Sequence, residues 1–132
     1  MDVRKLFILN PPLEQSKKRR WVYLLLCVLC AGIGWLLSIT YRPYVYANHI
    51  NDWHLADSIG NIVAVPAAAF LFYAMQKTIR QTKLAVLIMD FFAWCLYEVV
   101  FSMTFDWWDI LASLLMCFIM YPLLSSLEKH LP

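Results

Sequence analysis

Glycine is nearly missing from this chain, with three in 132 residues, and no cysteine falls outside an apolar run. Three glycines cannot furnish a glycine-rich phosphate loop, and neither a zinc-protease box nor a placeable Ser–His or Cys–His pair occurs. Catalysis therefore finds no recognisable constellation, and the chain reads as a non-enzyme. Cys27, Cys30, Cys95 and Cys117 sit where a thiolate is disfavoured, so Cys27-x-x-Cys30 reads as apolar filling and no disulfide framework is expected. No long polar stretch remains for a separate soluble domain. An internal repeat is absent too.

What fills the chain is hydrophobic: 62% of residues, with 16% aromatic, far from soluble averages. Four apolar runs cover about Trp21–Thr40, Asp57–Met75, Lys83–Met103 and Trp108–Ser125. Each approaches the length needed to cross ~30 Å of hydrocarbon as a helix. The expected fold is all-α, a polytopic membrane bundle over 21–125, with a basic stub at 1–20 and a tail at 126–132. No Ala-x-Ala-like site follows the first run, so it reads as a retained span. Met1-Asp2 and His130-Leu131-Pro132 carry no lipidation box.

Positive charge is nearly absent from one side. Of 11 basic residues, ten lie before the first run, between the second and third, or after the fourth; Arg42 is the exception. That asymmetry predicts both termini in the cytoplasm. The Lys17–Arg20 run should attract anionic lipid, at ~1 kcal/mol per basic residue. Because Trp21 enters the membrane directly afterwards, nucleic acid is not an expected partner.

The opposite side is acidic: Arg42 faces Asp52, Asp57, Glu98, Asp106 and Asp109. Such a surface favours a cation, or a ligand carrying one. The connection Tyr41–Ala56 adds an aromatic set (Tyr41, Tyr44, Tyr46, Trp53) suited to the water–lipid boundary. Two readings stand. Asp57 and Asp109 cap helix N-termini, with Asp106 solvated and Glu98 paired to Arg42. Alternatively Asp57, Asn61, Glu98, Asp106 and Asp109 form a shared polar site, with Arg42 and His54 nearby. His49, Asp52, His54 and Asp57 also form a scattered metal set; the oxygens suit Mg²⁺ or Ca²⁺, and the imidazoles Zn²⁺. Asp90 lies deeper, on the face of Trp94 and Glu98, placed to hydrogen-bond across the bundle or to relay protons. Pro66 is expected to kink the second span.

Asp57-x-x-x-Asn61 opening span two, Glu98 closing span three, and Asp106-x-x-Asp109 with Ser113 opening span four resemble the VanZ-like membrane family. Asn61, Phe101 and Ser113 stand where that family has His, Gln and Asn. Asp57-x-x-x-Asn61-x-x-x-x-Pro66 and Phe105-Asp106-Trp107-x-Asp109 are also similar to short four-span bacterial proteins sometimes labelled magnesium citrate secondary transporters. The likeness covers about residues 50–125 in pieces. It implies a bacterial inner-membrane protein, and as alternatives a transporter of a divalent cation–carboxylate complex or an interaction or protection protein acting through the outer loop. Four spans are few for alternating access, so transport would require a parallel homo-oligomer or another subunit.

Overall fold

A computed structural model describes residues 2–101 and 106–132. Ser16 opens the first long helix, α2 (Lys17–Ile39), by accepting the Arg19 amide at 3.1 Å. At 1.5 Å per residue its 23 residues span about 35 Å. A short α3 (Tyr41–Ala47) follows, then α4 (Leu55–Met75), α5 (Lys83–Val100) and α6 (Trp107–His130). Thr82 caps α5 by accepting the Ala85 amide at 3.2 Å, and Asp106 caps α6 by accepting the Trp108 amide at 2.9 Å. The end of the third predicted span and most of the turn before α6 lie outside the described residues.

The four long helices alternate in direction, and α4 is central, packed against α2, α6 and α5. Close approach of α2 and α4 is set at Gly34: a Cβ there would collide with Val63 Cγ2. Small residues at such contacts let helices pack where the surrounding lipid gives no drive for burial. Tyr23, Phe70, Tyr73, Leu87, Met120 and Leu124 form the core. On α6 the buried residues Ser113, Met120 and Leu124 make one stripe, while Leu115, Phe118 and Ile119 face outward. Pro66 is buried within α4 and removes the amide that the Ile62 carbonyl would accept.

Among the described residues three helices are long and apolar enough to cross a membrane: the α2–α3 run Lys17–Ala47, α4 and α6. α5 carries Lys83, Asp90 and Glu98 within 18 residues and stands apart from that set.

The chain is mostly helical, as expected, and two short strands lie beside the long helices. The N-terminal stub folds into α1 (Arg4–Phe7) and β1 (Ile8–Glu14), and the connection after α4 forms β2 (Thr78–Gln81). The strands pair antiparallel, Ile8 opposite Gln81 and Glu14 opposite Thr78, with an irregularity between Ile8 and Leu13. Pro11 and Pro12 cannot donate to the ladder, which confines them to an edge or a bulge. At the other end α6 continues to His130, into the segment read as the tail 126–132.

Gln15 donates to the Tyr73 and Gln76 carbonyls at 2.7 and 2.8 Å. Arg20 donates to the Ala74 carbonyl at 2.9 Å. Arg19, 8% exposed, donates to the Glu128 and Leu131 carbonyls at 2.7 and 3.0 Å. These donors satisfy the last carbonyls of α4 and α6 and complement their dipoles. Half of the Lys17–Arg20 run is thus turned into the fold, leaving Lys17 and Lys18 exposed for lipid. Lys83 pairs with Glu128 at 2.6 Å, tying α5 to α6 at the same end.

Candidate functional site

At the opposite end the acids gather around the starts of α4 and α6 and the end of α5. Asp57 lies in the first turn of α4 with an exposed carboxylate. That carboxylate accepts a hydrogen bond from the Tyr46 hydroxyl and faces His54 Nδ1 at 3.5 Å. Arg42 Nε donates to the Tyr46 hydroxyl oxygen at 3.1 Å. The His54 ring stacks on Trp108 of α6, with centroids 4.8 Å apart. A continuous line therefore runs Arg42, Tyr46, Asp57, His54, Trp108, joining α3 to α6 across the start of α4.

Behind this rim lies a drier layer. Ser58, buried on α4, hydrogen-bonds to the Asp109 carboxylate on α6. Asp109 also feels the charges of Glu98, Asp106 and Asp57. Its Oδ1 has no hydrogen-bond partner among the described residues, and the same holds for Glu98 Oε2. Glu98 is 6% exposed and Asn61 8%. Ser113 is buried too, its hydroxyl returned to the Asp109 main-chain oxygen at 2.9 Å.

The two sequence readings divide between these residues. Asp106 is the helix cap, a role expected instead of Asp57 and Asp109, because it precedes the first turn of α6 while they lie inside helices. Arg42 leans on Tyr46 (guanidinium carbon 5.7 Å from the ring centroid) and forms no ion pair with Glu98 among the described residues. Its charge reaches Asp57 and Asp109. Glu98 is thus left facing its acidic neighbours.

The loop metal set is not assembled. Asp52 accepts the Tyr41 hydroxyl at 3.1 Å and the Ala56 amide at 2.8 Å, so it serves the start of α4. Asp57 is engaged by Tyr46 and His54, and His49 occupies a left-handed turn after α3. Among the described residues no group of three or more His, Cys, Asp or Glu is arranged to hold a metal ion. Asp90 belongs to another layer: eight residues before Glu98, it is about 12 Å deeper along α5. It is buried beside Trp94, whose indole bonds its carboxylate, and its Oδ2 lacks a partner among the described residues.

Sequence reasoning passed over Tyr46 and Ser58 as site members. Ser58 follows Asp57 directly, and Tyr46 was visible only as part of the aromatic set.

No family model, curated protein or solved structure matches this chain.

Proposed function

We propose that the chain is a four-span membrane protein, both termini cytoplasmic, that binds a cation or a cation-bearing ligand at its acidic outer rim. α5 is then the fourth span, its Asp90 and Glu98 turned into the bundle. The observation that carries the reading is the pair Glu98 Oε2 and Asp109 Oδ1, both buried, the first carboxylate within electrostatic reach of the second, and neither atom with a hydrogen-bond partner among the described residues. Neighbouring acids without a counter-charge destabilise one another, and a bound cation relieves that repulsion. Arg42, with its charge already directed at Asp57 and Asp109, compensates only part of it. Ser58 adds a neutral oxygen at Asp109, and Asn61 is buried less than one turn further along α4. Kinship with VanZ-like proteins is part of the proposal and rests on the residue pattern alone.

The test is a thermal-melting screen of detergent-purified protein against Mg²⁺, Ca²⁺, monovalent and organic cations, and small carboxylates. A ligand specific to the folded state at a hundred times its Kd adds ~2.7 kcal/mol. A cation that raises the melting midpoint of the native chain, and fails to do so for Asp109→Asn, supports the site. No stabilisation by any cation removes it.

A further inference from the structure

Between α4 and α6 a groove of about 510 Å³ opens sideways from the bundle, within the size range of small-molecule sites. Its polar members, Asp52, His54 and Ser58, all lie at the mouth beside Trp108. Beneath them the walls are apolar, from Ile62 down to Phe118. Ten residues of α6 separate Trp108 from Phe118, about 15 Å along the axis. That is half of a ~30 Å hydrocarbon core, the depth of one leaflet.

The groove therefore has the polarity and reach of a single lipid molecule lying in the leaflet on that side. Its mouth also specifies charge. Asp52 lines it, and His54, which lines it too, stands 3.5 Å from the exposed Asp57 carboxylate just beyond the lining. Asp106 and Asp109 stand on the helix that forms the other wall, and Arg42 is the nearby cation already bonded to Tyr46. The stacked His54–Trp108 pair adds an aromatic wall, which also favours a cation. A second groove between α5 and α6, about 410 Å³, contains no charged residue and so offers hydrocarbon nothing to distinguish one head group from another.

We propose that the α4–α6 groove holds one chain of a lipid whose head group carries an amine, the ammonium lying against Asp57 and the chain reaching toward Phe118. This deepens the cation-binding reading and rests on it: the amine is the cation.

The experiment compares retention of phosphatidylethanolamine and phosphatidylglycerol with identical chains on the delipidated full-length protein, by native mass spectrometry. The amine lipid should be held about tenfold more tightly, the scale of one charge-assisted hydrogen bond. Asp57→Asn should bring the two lipids to parity, and Asp57→Glu should keep the preference. Ala112→Phe, filling the groove from α6, should weaken both lipids; Leu25→Phe, on the outward face of α2, should weaken neither. Equal retention by the native chain, a preference surviving Asp57→Asn, or undiminished retention of both lipids in Ala112→Phe would overturn the proposal. So would free ethanolamine competing as well as the intact lipid. If the lipids are retained equally while metal cations still stabilise the protein through Asp109, the groove assignment falls and the cation site stands.

Discussion

Arg19 offers the sharpest energetic test of the fold. Its guanidinium, almost wholly removed from solvent, donates through Nη2 to the Glu128 and Leu131 carbonyls at 2.7 and 3.0 Å, while Nε has no partner among the described residues. Hydrogen bonds from a charged donor contribute ~1.5–3 kcal/mol each, and an unsatisfied buried N–H costs ~1–3 kcal/mol. The balance favours the arginine by about 2 kcal/mol. Arg19→Met keeps the apolar stem and deletes the donors, so it should destabilise by that amount and lower the melting midpoint by roughly 6–10 °C. Arg19→Lys retains the charge but lacks the fork that bridges two carbonyls, so it should lose about half as much, or ~1 kcal/mol. Tryptophan emission during heating in mild detergent reads both variants, because the chain has six tryptophans. A midpoint for Arg19→Met unchanged from the native chain, or a lysine fully equivalent to the arginine, refutes the reasoning.

Three further outcomes are expected. Glu98→Gln deletes a buried charge beside Asp109, so the cation-free protein should melt higher, by about 1 kcal/mol, and should lose any stabilisation by added cation; a lower midpoint with and without cation would make Glu98 structural. Gly34→Leu should destabilise by ~1–3 kcal/mol through overpacking, and Val63→Ala in the same chain should restore much of that, read from the same melting curves. A reporter fused after Pro132 should be active only inside the cell, while a cysteine introduced at Asn51 should be labelled by an impermeant maleimide; the reverse pattern would invert the proposed sidedness.

The long helices were legible because their signal is local. Apolar runs at Trp21–Thr40 and Asp57–Met75 fall within two to four residues of the starts of α2 and α4 and agree at their ends to within one. The last run stopped too early. Ser126 to His130 look polar in isolation, whereas in the fold the Lys83–Glu128 pair and the Arg19 and Ser16 bonds tie this end of α6 to distant segments. The strand pair was hidden for a different reason: Ile8–Glu14 shows no clean alternation, is interrupted by two prolines, and pairs across more than sixty residues with a broken register.

At the candidate site, topology alone brought Asp57, Glu98, Asp106 and Asp109 to one end. Which of them caps a helix and which is left unpaired depends on helix rotation. Asp106 precedes α6 by one position and finds the Trp108 amide, whereas Glu98 faces inward on the same stripe as Leu87 and Asp90. A 3.6-residue period predicts that shared stripe; the partner it meets is set by how α5 packs against its neighbours, information spread over three separate segments.

The clasp between Arg19 and the Leu131 carbonyl joins residues 112 positions apart. During synthesis α2 must therefore wait with its guanidinium unclaimed while α4, α5 and α6 are made. A charged donor waits there for carbonyls that only the last turn of α6 supplies. The bundle is closed by its last turn.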